Sequence, residues 1–432
     1  MRAAAWTPPA KRPANRPATP TIDPLVSPLV DELQRDILDL AAIGAGGEDG
    51  GVTRVAWSEE LMQAYAWLAR RGSEIGVGHA VDVAGNAFLH WTAGEGPALV
   101  VGSHLDTVPH GGRYDGALGV LSGLDVLRTL RRSEFAPRCP IWLTAFMDEE
   151  GTRFGTALFG SRAFAGADLS GLGDRCDRAG VTLREAMRAC GFEFDALAAA
   201  SQLASVRSYL ELHIEQGPVL EQSGDDVGIV TSIVGLVGLH VRLQGQANHA
   251  GTTPMRLRRD ALAGGARAVL ELRELARRTD GVTANVGVIS VEPGGKNVVP
   301  GACEFTVDIR SASPDVYRTL DDAARGLLER IAREETLELT VSEIYRLEPV
   351  PLDTAVVALL ERAAELEGAS ALRMPSGAGH DAQILAPHVP TGMLFVPSRG
   401  GISHNPAEYT TPEQCATGSR VLARAVTLLA SA

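Results

Sequence analysis

Short apolar runs that end in polar residues recur along the first half of the chain. They are PALVVGSHLDT (97–107), IWLTAFMDEE (141–150) and SYLELHIEQG (208–217). Apolar runs of this length are typical of buried strands. Because open α/β sheets gather functional residues at the carboxyl ends of their strands, we expect the polar residues that follow these runs to lie together.

Helices are predicted before, between and after these runs. A helix is predicted from Ser58, since apolar residues recur with helical spacing at Leu61, Tyr65 and Leu68, and Gly72 marks its stop. Helices are also predicted over 117–132, over 355–366 and from 411 onward, and a further strand over 391–397. This pattern is typical of an α/β unit.

The pattern changes after Gly224. Strands are expected over 235–245, 282–291, 303–311 and 337–346, with helices over 257–278 and 314–334. The order βαββαβ is that of a ferredoxin-like unit. The chain then returns to the first pattern, so we predict a larger domain formed by 25–225 and 345–432, and a smaller domain inserted at 226–344.

Composition narrows the class of protein. The 432 residues are 45% hydrophobic and 22% charged, as in globular proteins, and the net charge of −13 argues against a nucleic-acid partner. Five scattered cysteines without a CxxC pair predict a cytoplasmic protein without a disulfide framework. No apolar run reaches the roughly 18 residues of a membrane span, so none is expected. Residues 1–24, rich in Pro, Ala and Arg, are expected to form a disordered tail.

The first polar cluster lies in GSHLDTVPHGGRYDGALG (102–119). His104 and Asp115 fall at strand and loop ends. Asp106 follows His104 by two residues, so its carboxylate would share the same strand face and could orient the imidazole. Taken alone, this stretch fits an acidic surface loop equally well.

Three consecutive acids, Asp148, Glu149 and Glu150, end the second apolar run. Adjacent carboxylates repel one another unless cations neutralise them. One could therefore bind a metal while its neighbour acts as a general base. A solvated strand end is the alternative.

Two further histidines complete the pattern. His213 lies near the end of the third run, with Gln216 in the turn after it, and His404 lies in a Gly/Ser/Pro loop. Each alone is more often structural. Together, three imidazoles and two carboxylates from four segments fit a dinuclear site with N and O ligands, for which Zn²⁺, Mn²⁺, Co²⁺ and Ni²⁺ are all suitable.

The same segments resemble a known family. The motifs SHLDTV, GGRYDGALG, DEEGTRFG, GSRAFAG, ELHIEQGPVL, NHAGTTPM, KNVVPG, VDIRS, GAGHDA and SHNPAE follow one another as in the amidase branch of the M20 metallohydrolase superfamily. That branch holds N-carbamoyl-L-amino acid hydrolases, β-ureidopropionases, allantoate amidohydrolases and ureidoglycolate amidohydrolases. The resemblance implies a metallohydrolase domain with a mixed central sheet flanked by helices, plus an inserted ferredoxin-like lid and dimerisation domain.

The resemblance also implies residue roles in a site with two divalent metal ions per subunit, Zn²⁺ or Mn²⁺ in the first place. His104 and His213 would bind one ion, Glu150 and His404 the other, and Asp115 both. Glu149 would be the general base. Asp106, which could orient His104, is counted with the predicted catalytic residues. His213 points to the carbamoyl amidases, since peptidases of the superfamily usually carry a carboxylate there.

Substrate-binding roles follow from the same resemblance. His249 would stabilise the oxyanion of the tetrahedral intermediate. Asn297 and Arg310 would bind a substrate carboxylate, although without the resemblance a sheet-face salt bridge is favoured for Arg310. In the family, residues at these three positions serve the partner subunit's site, which implies a homodimer through the lid. The remaining substrate contacts would come from Gln216, Gly379 and His380.

The predicted activity is cleavage of the ureido amide of an N-carbamoyl-L-amino acid, a small ureido-carboxylate, with release of ammonia and carbon dioxide. Hydrolysis of allantoate or ureidoglycolate is the alternative, because these substrates also place a ureido group near a carboxylate. A peptidase or deacylase fits less well because of His213. A non-catalytic homologue is disfavoured because Glu149 and all five ligand positions are present.

Overall fold

The computed structural model describes residues 30–133 and 135–431. The tail expected at 1–24 lies outside these residues. In the described part of the chain the α-helices, in order, are α1 (Val30–Ala41), α2 (Glu59–Glu74), α3 (Ala117–Arg132), α4 (Phe159–Phe164), α5 (Leu183–Ala189), α6 (Val219–Ser223), α7 (Ala261–Arg277), α8 (Pro314–Glu334), α9 (Thr354–Leu366), α10 (Asp381–Leu385) and α11 (Pro412–Ser431).

The strands of the same residues form a larger and a smaller sheet and two short pairs. In chain order they are β1 (Ala45–Gly46), β2 (Gly51–Val52), β3 (Gly78–Val81), β4 (Ala87–Trp91), β5 (Ala98–His104), β6 (Ile141–Phe146), β7 (Val206–Ile214), β8 (Val227–Ile233), β9 (Gly235–Gln244), β10 (Asn248–His249), β11 (Val282–Asn285), β12 (Ile289–Glu292), β13 (Val298–Val299), β14 (Ala302–Ser311), β15 (Glu338–Leu347), β16 (Val350–Pro351), β17 (Ala371–Ser376) and β18 (Thr391–Val396).

The larger sheet is mixed. Its strands follow the order β16-β8-β18-β7-β5-β6-β4-β3, and β17 pairs with β8 beside this path. Strand β5 runs parallel to β6 and β7, and β7 runs parallel to β18, whereas β8 is antiparallel to β18. The carboxyl ends of β5, β6 and β7 therefore meet at one edge of the sheet. A mixed central sheet with helices packed against it confirms the predicted α/β class.

Helix α3 positions the loop before it against the sheet. It is buried along most of its length and packs on β5, β6 and β7. A Cβ at Gly119 would lie 2.3 Å from the carbonyl oxygen of Leu212, and one at Gly123 would lie 2.4 Å from Leu143 Cδ1. Only glycine permits this close approach of helix to sheet. The approach places the start of α3, just after Asp115, beside the ends of the parallel strands.

The smaller sheet is antiparallel and has its own hydrophobic core. Its strands follow the order β11-β14-β9-β15, and β12 also pairs with β14. Alternate residues of β14, including Phe305 and Val307, are buried with α7 and α8 in a core separate from that of the larger sheet. Asp308 and Arg310 have the opposite parity and lie on the other face of β14.

Two predicted helix boundaries need correction. Helix α2 begins after its N-cap Ser58 as predicted, but it continues past Gly72 to Glu74. A Cβ at Gly72 would lie 2.4 Å from Leu89 Cδ2, so this glycine allows close packing and does not end the helix. Helix α7 begins at Ala261 and not near 257, because the Asp260 side chain caps it by accepting the N–H of Ala263.

The strand predicted over 282–291 is divided into β11 and β12. Asn285 pairs with Asp308 and Ile289 pairs with Phe305, so three residues on one side lie opposite two on the other. This extra residue is a bulge, which the apolar pattern did not reveal. Strands β8 and β17, which the pattern did not single out, join the larger sheet.

Candidate active site

His104 presents one ring nitrogen to a group of acids. It is the last residue of β5 and is buried. Its Nδ1 bonds to the backbone carbonyl of Asp106 at 3.0 Å, which leaves Nε2 as the unprotonated nitrogen. Nε2 lies 3.8 Å from Asp115 Oδ1 and 3.7 Å from Glu149 Oε2. Burial lowers the pKa of His104 to about 4, so the ring is neutral, as a metal ligand would have to be.

Asp106 supports the site differently from the prediction. The backbone carbonyl of Asp106, not its carboxylate, accepts the hydrogen bond from His104. The carboxylate accepts the backbone N–H groups of Glu149 at 3.2 Å and Glu150 at 3.1 Å. Because a carboxylate can accept several N–H groups at once, Asp106 fixes the turn that carries both acids.

Asp115 occupies the centre of the site. Its Oδ1 lies 3.1 Å from His213 Nε2, and its Oδ2 lies 3.2 Å from His404 Nε2. The Oδ2 atom also accepts hydrogen bonds from Gln216 at 2.9 Å and Ser403 at 3.1 Å. Burial opposes ionisation of Asp115, but the hydrogen bonds and charges of the two histidines hold its pKa well below the ordinary value.

The acids after β6 have little contact with solvent: Asp148 is buried, and the side chains of Glu149 and Glu150 are 11% and 8% exposed. Asp148 adopts a left-handed conformation with φ of 57° and accepts a hydrogen bond from the Thr156 hydroxyl. Burial and the neighbouring carboxylates raise the pKa of Glu149 well above its ordinary value. Burial and Asp115 raise the pKa of Glu150 to about 8. The Oε1 atom of Glu150 has no hydrogen-bond partner among the described residues.

His213 and His404 face Asp115 from different segments. His213 is the next-to-last residue of β7, and its Nδ1 bonds to the carbonyl of Ile214 at 2.9 Å, so Nε2 is the nitrogen that could serve as a ligand. Burial lowers the pKa of His213 but Asp115 raises it more, to about 9. His404 has a φ of 54°, and its Nε2 lies 3.5 Å from Glu150 Oε2. The loop conformation thus directs an otherwise half-exposed imidazole toward two carboxylates.

These side chains form two clusters that share Asp115. Within each cluster the ligand atoms lie within 4.8 Å of one another; the clusters are His104, Asp115 and His213, and Asp115, Glu150 and His404. The unpartnered oxygen of Glu150 and the excess of buried carboxylates fit divalent cations, which would supply the missing positive charge. The N and O donors suit Zn²⁺ or a similar ion.

A third cluster of titratable side chains lies behind the first. Glu211, His213 and His380 also meet the distance criterion for a metal site. However, the carboxylate of Glu211 accepts hydrogen bonds from Ser103 at 2.7 Å and from the backbone of Ala382 at 3.0 Å. Both of its oxygens therefore already accept hydrogen bonds, and through them Glu211 of β7 connects β5 with the start of α10.

Two of the predicted substrate-binding segments lie beside these clusters. Gln216 has a φ of 59° and donates to Asp115, so its side chain reaches the shared carboxylate. His380, which follows Gly379, is buried, with its ring centroid 4.6 Å from that of His213. Its Nε2 is hydrogen-bonded to the Ser376 hydroxyl at 2.9 Å.

The predicted residues of the smaller sheet separate into two groups. Arg310 donates through Nη1 to the carbonyl of Gly377 at 3.1 Å, which brings it to the segment before His380. His249 and Asn297 lie on the paired strands β10 and β13 and the adjoining loop, and both are exposed. Within residues 30–133 and 135–431, neither makes a hydrogen bond to the two clusters that share Asp115.

Sequence reasoning missed Glu408. Its Oε1 accepts the backbone N–H groups of Tyr114 at 3.0 Å and Asp115 at 3.1 Å, and its Oε2 accepts the Ser403 hydroxyl at 2.9 Å. A Cβ at Gly112 would lie 2.1 Å from Glu408 Oε1, so the glycine makes room for this carboxylate. The signal was available, because Glu408 belongs to the motif SHNPAE.

Comparison with known proteins places the chain in a family. Residues 100–428 match Peptidase family M20/M25/M40. An N-carbamoyl-L-amino acid amidohydrolase of Geobacillus stearothermophilus is 40% identical over 403 residues, which cover 93% of this chain and 98% of that protein. An allantoate amidohydrolase of Bacillus subtilis (strain 168) is 38% identical over 387 residues, covering 89% of this chain and 93% of that protein.

A solved structure has the same overall architecture. The crystal structure of an amidase of the hydantoinase/carbamoylase family from Burkholderia multivorans superposes with a TM-score of 0.86 at 36% identity, covering 95% of this chain and 100% of that one. The chain belongs to the M20/M25/M40 family. The resemblance to its amidase branch and the predicted class, a hydrolase of C–N bonds, are confirmed. Across the described ranges, no helix has both the length and the apolar character needed to cross a membrane.

Proposed function

We propose that this protein is a metal-dependent amidohydrolase that cleaves the ureido amide of an N-carbamoyl-L-amino acid, releasing ammonia, carbon dioxide and the amino acid. The proposal is carried by Asp115, a buried carboxylate shared by two clusters of imidazole and carboxylate ligands. The relative from Geobacillus stearothermophilus, which is 40% identical, bears the name of this activity.

The proposed centre holds two divalent ions. We assign one ion to His104 and His213, the other to Glu150 and His404, and Asp115 to both, in agreement with the two clusters. Zn²⁺ or Mn²⁺ is the expected metal, and Co²⁺ or Ni²⁺ suits the same donors. When bound, the ions would polarise the ureido carbonyl and lower the pKa of the attacking water.

Glu149 is the proposed general base. Its Oε2 would accept a proton from the attacking water and return it to the leaving nitrogen, which departs as ammonia. Burial among carboxylates raises the pKa of Glu149, so nearby cations are needed to keep it ionised for this role. The 3.2 Å hydrogen bond from the backbone of Glu149 to Asp106 holds it in place.

His249 is the proposed donor to the oxyanion. Its Nδ1 accepts the backbone N–H groups of Gly251 at 3.0 Å and Thr252 at 3.2 Å. Because Nδ1 accepts both bonds, the proton of the neutral ring resides on Nε2. Nε2 can therefore donate to the negative charge that develops on the carbonyl oxygen.

Gln216 is proposed to orient the ureido group. Its amide nitrogen donates to Asp115 at 2.9 Å, while its Oε1 has no hydrogen-bond partner among the described residues. That oxygen is left to accept an N–H of the substrate. We propose that the remaining substrate contacts come from Asn297, Arg310, Gly379 and His380.

We propose that the smaller sheet and its helices form a ferredoxin-like lid and dimerisation domain. The order β9-α7-β11-β12-β14-α8-β15 supports this assignment. Met255, Leu257, Val288 and Ile344 are apolar side chains of this unit that are each more than half exposed, which favours a protein interface. His249 and Asn297 are exposed on the same unit, as residues that complete a partner's site would be.

Hydrolysis of allantoate is the second candidate. The relative from Bacillus subtilis that bears this activity in its name is 38% identical, close to the value for the carbamoyl-amino acid enzyme. Allantoate also joins ureido groups to a carboxylate, so the same metal and guanidinium contacts would serve it.

The test is ammonia release by the purified, Mn²⁺- or Zn²⁺-loaded protein. N-carbamoyl-L-amino acids, 3-ureidopropionate, allantoate and ureidoglycolate are compared side by side, with Glu149→Gln as the inactive control. We expect the highest kcat/KM with an N-carbamoyl-L-amino acid. A preference for allantoate would replace the first candidate by the second, and no release from any substrate by fully loaded protein would refute both.

A further inference from the structure

Arg310 makes three hydrogen bonds to other residues of its own chain. Its Nε donates to Asp308 Oδ1 at 2.8 Å, and its Nη2 donates to Asp308 Oδ2 at 3.3 Å. Its Nη1 donates to the carbonyl of Gly377 at 3.1 Å. A guanidinium carries five N–H donors, so two remain, one on each terminal nitrogen. N–H donors on the two terminal nitrogens of one guanidinium can bind the two oxygens of a carboxylate.

Asp308 is itself fixed by a tyrosine from another strand. The hydroxyl of Tyr345 donates to Asp308 Oδ2 at 2.6 Å. Asp308 on β14 and Tyr345 on β15 both pair with Gly238 of the strand between them, β9. The aromatic ring therefore has to cross one complete strand to reach the carboxylate.

Gly238 makes this crossing possible. A Cβ at Gly238 would lie 2.5 Å from Tyr345 Cζ, so any side chain there would displace the ring. The pairing of β15 with β9 also shifts register between Glu343 and Tyr345, which leaves Ile344 as an extra, bulged residue. A bulge changes the face to which the next side chain points. The bulge at Ile344 and the absence of a side chain at Gly238 thus both allow Tyr345 to reach Asp308.

The arrangement points Arg310 toward the active site of its own chain. Gly377 lies three residues before His380, whose ring is 4.6 Å from that of the proposed ligand His213. The resemblance implied that Arg310 serves the partner subunit, whereas this hydrogen bond connects it to its own subunit's loop.

We propose that Asp308 and Tyr345 are positioning residues that hold Arg310 as a preformed clamp for the substrate carboxylate, with Gly238 as the space that permits it. This inference rests on the proposed ureido-carboxylate activity. The clamp makes the enzyme select substrates with a carboxylate next to the ureido-bearing carbon. It does so through binding, because the carboxylate takes no part in the bond that breaks.

The test compares Tyr345→Phe and Asp308→Asn with the wild type on two substrates. One is an N-carbamoyl-L-amino acid, and the other is the same molecule with its carboxylate replaced by a neutral carboxamide. With the acid we expect KM to rise about threefold to tenfold for Tyr345→Phe and more for Asp308→Asn, with kcat nearly unchanged. With the carboxamide, both variants should match the wild type.

A matched control separates this role from general stability. Tyr317→Phe also removes a tyrosine hydroxyl from the smaller unit, where it contacts Leu236 and Arg346 and not Asp308. We expect it to leave the preference for the acid unchanged. Gly238→Ala, by displacing the ring, should reproduce the effect of Tyr345→Phe.

The outcomes distinguish the inference from the proposed function. Equal losses on the acid and the carboxamide, or an unchanged KM for the acid in both variants, would overturn the positioning role while the proposed function stands. If the wild type itself releases no ammonia from the acid, the proposed function is wrong, and the inference about Asp308 and Tyr345 is wrong as well.

Discussion

The proposed role of Glu149 as a general base can be tested with a substitution that changes little else. Glu149→Gln keeps the size of the side chain and its backbone hydrogen bond to Asp106 but removes the basic oxygen. We expect bound metal to stay at the wild-type level while kcat falls by about 10²–10⁴-fold, the usual contribution of a general base. Metal analysis and steady-state rates check this. A variant that retains a near-wild-type rate would show that another group accepts the proton.

A substitution of Asp106 tests whether its hydrogen bonds to the backbone of Glu149 and Glu150 matter for activity. An asparagine at this position has one carbonyl oxygen and one NH₂ group, so only one of the two N–H groups from Glu149 and Glu150 keeps its acceptor. We expect Asp106→Asn to lower kcat or metal affinity by about 10–100-fold, the usual effect of losing a residue that orients metal ligands. Asp195→Asn, in an exposed ion pair, is the control that should leave both quantities unchanged. Wild-type rate and metal content in Asp106→Asn would contradict this role.

The sequence predicts the reactive side chains better than the residues that support them. His104 and Asp115 were predicted from their places at strand and loop ends together with the resemblance to the M20 amidases. The actual partners of these residues depend on folding. Glu408 belongs to the motif SHNPAE, but its contact with the backbone of Asp115 spans 293 positions along the chain, so the motif does not reveal the partner.

At the level of helices and strands, close packing explains both the successes and the errors. The bounds of α3, Ala117–Arg132, agree with the prediction. Gly72 was read as a helix stop, but it is a packing site within α2. A glycine can either end a helix or allow close packing within one. Which of the two applies depends on the tertiary contacts, here with Leu89 of β4.

The contact of α3 with the sheet gives a stability prediction. Gly119→Ala would place a methyl carbon 2.3 Å from the carbonyl of Leu212, so the helix or the strand must shift. We expect the free energy of unfolding to fall by about 1–3 kcal/mol, as for other overpacked cores. Activity should fall as well, since Asp115 lies just before this helix. Urea denaturation followed by circular dichroism measures the change.

A helical glycine without neighbours provides the matched control. Gly326 lies in α8, is exposed, and has no atom within 4 Å of an added Cβ. Gly326→Ala should therefore stabilise the protein by about 0.5–1 kcal/mol, because alanine loses less backbone entropy in a helix. Equal effects of the two substitutions would mean that the packing of α3 is looser than the structure indicates.

At the level of the whole molecule, buried acids link folding to metal binding. Glu149 and Glu150 have raised pKa values because burial and neighbouring carboxylates disfavour their ionised forms. Cations that bind only the folded protein stabilise it by mass action. We expect a chelator to lower the melting temperature and added Mn²⁺ or Zn²⁺ to restore it, with a smaller response in Asp115→Asn. A melting temperature that does not respond to either treatment would contradict the metal assignment.

The change of pattern after Gly224 predicts a second unit, but it does not predict how the strands pair. Strand β8 follows that change and yet joins the larger sheet beside β18, which lies more than 150 residues away. Pairing between strands far apart in the sequence depends on which strand edges of the folded sheet are available, and a single sequence does not specify that.

The most direct test of the central claim is ammonia release from an N-carbamoyl-L-amino acid by metal-stripped protein during titration with Mn²⁺ or Zn²⁺. The shared position of Asp115 predicts that activity is absent without metal and reaches its maximum at two ions per chain. Full activity in the stripped protein, or no ammonia at any metal concentration, would contradict the account.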